Sequence, residues 1–230
     1  MRDAATNAAT NAATNPATNA APDPSALQRR IEACRICIER PTQRHPLPHE
    51  PRPVLRLSAT ARLCIAGQAP GARVHASGLP FDDRSGDRLR DWMGVTREEF
   101  YDTARVAFVP MGFCFPGYDA KGSDMPPRRE CRATWHDRVF ETVPQVELVL
   151  AIGAYSQRYH LGARKAPRMT ETVMAWREHL FRNERPRVLP LPHPSWRNTG
   201  WLRANPWFEA EVVPALRREV RGLLDAPPPV

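Results

Sequence analysis

A three-layer α/β/α sandwich around a central, mainly parallel four-stranded sheet is the fold this 230-residue sequence predicts. Three observations predict it. Four short runs are almost wholly apolar, as expected of strands buried on both faces. Helix-patterned segments alternate with those runs, which is the order of an α/β chain. The chain beyond its first two dozen residues is also long enough to enclose one core without disulfides.

The elements follow in order. Residues 4–21 repeat Ala-Ala-Thr-Asn with small changes, offer no large apolar side chain, and are expected to be disordered. The domain is therefore expected over residues 25–225, with a disordered tail at 1–24 and a Pro-rich tail at 226–230. Pro41 to Pro53 is rich in Pro, His and Arg and reads as an irregular connector. The first strand is expected at Leu63-Cys64-Ile65-Ala66, the second at Val106-Ala107-Phe108-Val109 and the third at Leu148 to Ile152. The fourth, Val188-Leu189-Pro190-Leu191, contains a proline and should lie at an edge. Ser85 is placed as the cap of a helix that Gly94 ends, with Leu89, Trp92 and Met93 on one side. A second helix, over 128–141, puts Cys131, Trp135 and Val139 on one face. Asn205 and Pro206 open the last helix, whose stripe is Phe208, Val212, Leu216, Val220 and Leu224. Pro214 falls inside that helix and predicts a kink.

Charge and composition narrow the function. The sequence carries 33 Lys+Arg against 25 Asp+Glu, a net of +8, and only Lys121 and Lys165 are lysines. Residues 1–24 hold only Arg2, Asp3 and Asp23 as charged groups, so the excess belongs to the body of the chain. Such a body favours an anionic partner, nucleic acid first. There is no window of 18 apolar residues, so no membrane span is expected. No basic-then-apolar leader opens the chain, so no secretory signal is expected either. A cytoplasmic, nucleoid-associated monomer is the expectation.

Without export, five cysteines argue against a disulfide framework and for a metal or redox site. Cys34 and Cys37 form a C-x2-C pair, and Cys114 and Cys131 are separated by 16 residues. Four thiolates of this kind suit a zinc site or a 4Fe–4S cluster, and spacing alone leaves the metal open. Cys64 lies in an apolar strand and reads as a core residue.

Three polar segments follow strands, where α/β folds bind ligands. Gly67-Gln68-Ala69-Pro70-Gly71 ends the first strand and fits neither a Walker loop nor a dinucleotide fingerprint. Gly78-Leu79-Pro80-Phe81-Asp82-Asp83-Arg84-Ser85-Gly86 offers Phe81 as a stacking surface for a planar ligand. Asp83, just before the expected cap, reads equally as helix N-terminal electrostatics. The fourth strand runs into His193-Pro194-Ser195-Trp196-Arg197-Asn198, then Trp201, a mix suited to a base and its phosphate.

Together these residues resemble the uracil-DNA glycosylase superfamily, and within it the iron–sulfur branches, families four and five, over about residues 30–224. The resemblance implies hydrolysis of the N-glycosidic bond of uracil or a related deaminated base in DNA, in base excision repair. It implies that Cys34, Cys37, Cys114 and Cys131 hold a 4Fe–4S cluster, with zinc disfavoured by the 16-residue gap. Phe81 would stack on the flipped base, with Gln68, Ala69 and Asn198 also binding substrate. His193 would donate a hydrogen bond to the leaving base, and Asp83 would orient water and stabilise the cationic sugar. Ser195, Trp196, Arg197 and Trp201 would contact DNA, single- or double-stranded.

The sequence also departs from the family's pattern. Ala69 stands where the best-known branch carries an Asp, and Gln68 replaces the family-four Glu. The Phe81-to-Gly86 segment is one residue shorter than its family-five counterpart. Pro110 stands where an Asn should read the base edge, leaving that task to the Met111-Gly112-Phe113 backbone or implying a different base. A glycosylase for hypoxanthine or xanthine is thus the alternative enzyme. A DNA-binding protein of this fold that has lost the chemistry is the alternative from another class.

Overall fold

The structure is a computed structural model that describes residues 23–43 and 45–226. Most of the expected tail, 1–22, and the residues 227–230 lie outside the described part. Asp23 and Pro24, assigned to the tail by sequence, instead begin helix α1, Pro24–Glu32. The Asp23 carboxylate accepts the Ser25 N–H at 2.8 Å, and Pro24 occupies the first turn, where its missing N–H costs nothing. A short helix α2, Ile36–Glu39, follows, and α3, Ala72–Ser77, comes after the first strand.

Among the described residues, four strands form one sheet: β1 Leu63–Ala66, β2 Val106–Phe108, β3 Leu148–Ile152 and β4 Arg187–Leu191. Their order is β2-β1-β3-β4, and every pairing is parallel. Pro190 is tolerated because β4 has only β3 beside it. The other edge is covered. Arg56 and Phe108 exchange backbone hydrogen bonds of 3.0 and 2.8 Å, so the 54–57 segment closes off β2.

Both faces of the sheet are buried, which explains why the strands read as continuous apolar runs. Leu63, Ile65, Leu148, Leu150, Ile152, Leu189 and Leu191 point to one side. They pack on helix α4, Arg84–Met93, on the 169–180 segment and on the C-terminal helix. Cys64, Ala66 and Val149 point to the other side, against Leu27 and Ile31 of α1 and against Trp135 and Val139. Cys64 is fully buried among apolar neighbours, which pushes its thiol up to about 12 and makes it an inert core residue.

The helix caps refine the sequence reading. Helix α4 is capped by Asp83, not by Ser85: the Asp83 side chain accepts the Gly86 N–H at 2.9 Å. Gly94 ends the helix in the left-handed conformation, as expected. Residues Arg132–His136 widen into a π turn within the 129–142 helical stretch, and Cys131, Trp135 and Val139 are all buried. The stripe from Phe208 to Leu224 is buried as expected. A π turn at Phe208–Val212 lies just before Val213 and Pro214, and the proline cannot donate into the ladder.

Candidate active site

The carboxyl ends of the strands open into a cleft of about 680 Å3, within the usual range for a small-molecule or cofactor site. The loop after β1, the Pro80–Ser85 loop, the 116–125 loop and the loop after β4 line it together. Gln68, Ala69, Phe81, Asp83, His193, Ser195, Trp196 and Arg197 all face it. Segments more than 100 residues apart in sequence thus converge on one site, where the topology puts ligands in such folds.

Phe81 is the base of the stacking surface. Its φ of 54° is positive, unusual for a bulky residue and costly without support from neighbours. Two glycines allow it. A β-carbon on Gly86 would stand 1.8 Å from the Phe81 carbonyl oxygen, and one on Gly67 would stand 3.1 Å from Phe81 Cζ. The ring leans edge-on against Phe100, with centroids 6.3 Å apart, so its orientation is fixed by the core.

His193 is fixed from two sides. The Ser195 N–H donates to Nδ1 at 3.3 Å, and the Asn198 amide donates to the His193 carbonyl at 2.7 Å. A nitrogen that accepts an N–H is unprotonated, so the neutral ring carries its proton on Nε2. Burial lowers the His193 pKa, with the Asp83 charge opposing it, so the ring stays neutral at ordinary pH. Arg88 of α4 donates to the Ser195 carbonyl at 3.2 Å and ties this loop to the Phe81–Asp83 segment.

Three assignments made from sequence shift. Asn198, expected to bind substrate, spends its amide on the His193 backbone and does not line the cleft. Trp201, expected on DNA, donates its indole N–H to Thr170 Oγ1 at 2.8 Å and packs on Trp207 and Phe208. The Met111 and Gly112 amides, expected to replace the missing Asn, donate instead to the Gly67 and Gln68 carbonyls at 3.0 and 2.9 Å. Trp196, by contrast, is 75 % exposed at the rim, with the Arg197 guanidinium 5.6 Å from its ring centroid.

Asp124, Arg73, Tyr118 and Pro110 also line the cleft, and the first three were missed by the sequence reading. For Asp124 and Tyr118 the available signal was the turn-rich stretch between Cys114 and Cys131. It folds into a small hairpin: Asp119 N–H donates to Ser123, and Met125 N–H to Gly117, at 2.8 and 2.9 Å.

The four spaced cysteines meet in a separate cavity, beside the sheet face that carries Cys64 and Val149. Cys34, Cys37, Cys114 and Cys131 line one small cavity walled by Ile31, Leu47, Phe113 and Trp135. None of the four is in a disulfide. Cys37 and Cys131 interact, which lowers the Cys37 thiol and raises that of Cys131. The Trp135 indole N–H points at Cys34 Sγ, 3.4 Å away. Among the described residues, no three His, Cys, Asp or Glu side chains are grouped to hold a single metal ion. The donor set and its enclosure still suit a group taking four separate thiolates.

Glu130, beside Cys131, is buried and clamps the N-terminal connector. Its Oε1 accepts the Thr42 N–H at 2.8 Å and the Arg128 guanidinium at 2.9 Å. Among the described residues, no helix is long and apolar enough to cross a membrane. A family model described as the uracil DNA glycosylase superfamily matches residues 56–217, which takes in the whole sheet and all of the cleft lining but Val54.

Proposed function

The chain belongs to the uracil DNA glycosylase superfamily, and we propose that it hydrolyses the N-glycosidic bond of uracil or a related deaminated base in DNA. The observation that carries this reading is the His193 ring, neutral and proton-bearing on Nε2, in the same cleft as the Phe81 ring.

The chemistry follows from the charges that develop. Breaking the bond between C1′ and the base puts negative charge on the base and positive charge on the sugar. The nucleotide must first leave the stack, at a cost of about a few kcal/mol. Phe81 offers its face to the extruded base, and exposed Trp196 is placed to fill the gap left behind. Arg73, Arg84 and Arg197 line the cleft and hold phosphates. His193 Nε2–H donates to a base oxygen as charge grows there. A fixed donor of this kind contributes roughly 10²–10³-fold in rate. Asp83 faces His193 and stabilises the cationic sugar through the oxygen it does not use to cap α4.

The base edge falls to Gln68, because the Met111 and Gly112 amides are already engaged. A Gln amide can present either its donor or its acceptor side. That freedom favours a second reading within the same chemistry, a site that also accepts hypoxanthine or xanthine.

Cys34, Cys37, Cys114 and Cys131 would hold a 4Fe–4S cluster. When bound, it would supply a four-point cross-link joining α2 and the two ends of the 114–131 loop. The convergence of the four cysteines on one apolar cavity supports this.

The test is single-turnover base release from oligonucleotides carrying uracil, hypoxanthine or xanthine, single- and double-stranded. Release of at least one base supports the reading. Tight binding without release from any of them identifies a DNA-binding protein that has lost the chemistry.

A further inference from the structure

Two carboxylates face the cleft, and their surroundings differ. Asp83 is the N-cap of α4, with one oxygen bonded to the Gly86 N–H at 2.9 Å. An oxygen so engaged is held at the positive end of the helix. Asp124 has no hydrogen-bond donor among the described residues; the groups that act on it are the charges of Arg197 and Asp83. Its Oδ2 lies over the loop after β1, where a β-carbon on Gly71 would stand 3.7 Å away.

The segment that presents Asp124 is ordered by its own hydrogen bonds. The Asp119 carboxylate accepts the Lys121 and Ser123 N–H groups at 2.8 and 2.9 Å. Tyr118 and Asp124 face each other in an antiparallel bridge, and Gly117 and Gly122 take the positive φ values, 93° and 73°, that the turns require. A carboxylate built onto such a hairpin, lining the cleft and feeling the Arg197 charge, is placed rather than merely exposed.

We propose that Asp124 is the general base that takes a proton from the attacking water, working with Asp83 beside it. The inference rests on the glycosylase reading above. In the step, the water oxygen forms its bond to C1′ and one water proton passes to the Asp124 carboxylate. The electron pair of the C1′–N bond leaves with the base, whose oxygen accepts the hydrogen bond from His193. The proton on Asp124 then returns to solvent or to the departed base. Partial burial, with the charge of Asp83, raises the Asp124 carboxyl above its usual range, while Arg197 opposes the rise. A raised pKa makes a better base at neutral pH.

The experiment compares Asp124→Asn and Asp124→Ala with the parent in single-turnover excision across pH, with binding of the same oligonucleotide and thermal stability measured alongside. Asp124→Asn is expected to slow excision by about 10²–10⁴-fold, with the acid limb of the pH profile lost and binding and melting temperature close to the parent's. Added formate is expected to restore part of the Asp124→Ala rate, which a purely structural role does not allow. A parent that excises, with Asp124→Asn matching its rate and pH profile, overturns this inference alone. So does a loss confined to binding, with no formate rescue. A parent that releases no base at all overturns the functional reading itself, and this inference with it.

Discussion

The backbone N–H of Ser195 donates to Nδ1 of His193, and that bond decides which ring nitrogen faces the cleft with a proton. The two residues are neighbours but one, so the β4 loop sets the tautomer locally. His193→Ala is expected to reduce single-turnover excision by about 10²-fold or more. His193→Gln, which keeps an N–H donor, should retain part of the rate. The folded pKa of His193 is lowered by burial, so the neutral donor persists below the ordinary His value of about 6.5. Activity should therefore not fall as pH drops through that value on account of this ring.

Gly86 is set by Phe81. Adding a methyl group there forces the Phe81 carbonyl aside, because the new carbon would lie 1.8 Å from that oxygen. Gly86→Ala is expected to lower both stability, by about 1–3 kcal/mol, and excision. Phe81→Ala should lower excision while costing less stability than a core phenylalanine, since the ring is only partly buried. Chemical denaturation beside single-turnover kinetics separates the two effects.

The Arg128–Glu130 pair is almost fully buried, with side chains 4 % and 2 % exposed. Glu130 also accepts the Thr42 and Gln43 backbone N–H groups. Glu130→Gln leaves the Arg128 charge uncompensated and is expected to cost about 3–5 kcal/mol in urea unfolding. A cost near zero would show that the connector is held by other contacts.

Glu147 lies between Arg62, Arg185 and Arg187, and its hydrogen bond with Arg62 lowers its pKa. A folded pKa below the unfolded one gives stability that is present above the ordinary Glu value of about 4.3. It is lost as pH falls through the folded value. Glu147→Gln should thus cost about 1–2 kcal/mol at neutral pH and nothing in strong acid, as read from stability measured against pH.

The four cysteines give a prediction independent of catalysis. Protein purified without oxygen should be brown and contain iron and sulfide, and Cys114→Ser or Cys131→Ser should lose colour and iron together. Colourless protein with one zinc per chain would remove the cluster.

The sheet was legible because burial on both faces leaves an unmixed apolar run, as in Leu148 to Ile152. The cleft was legible where its residues follow strands directly, as Gln68 follows β1 and His193 follows β4. Residues set by tertiary neighbours were less so. Ser85 and Asp83 are both good caps, and only the close approach of Gly86 to the Phe81 backbone selects Asp83. Asn198 carries the right chemistry for a base edge, but its amide is taken by the His193 carbonyl. Asp124 sits in a polar turn like many others until the hairpin folds over the β1 loop. Trp201 looked like a DNA contact by its place in the sequence, whereas the stripe of the last helix draws it into the core.

The central claim is that His193, beside Phe81 in this cleft, drives the loss of a base from DNA. Single-turnover release of free base from a uracil-containing oligonucleotide, by the parent and by His193→Ala, tests it most directly. The account predicts release by the parent and a rate lower by about 10²-fold or more in the variant, with oligonucleotide binding retained. Equal rates for the two proteins, or binding by the parent with no release of uracil, hypoxanthine or xanthine, would contradict it.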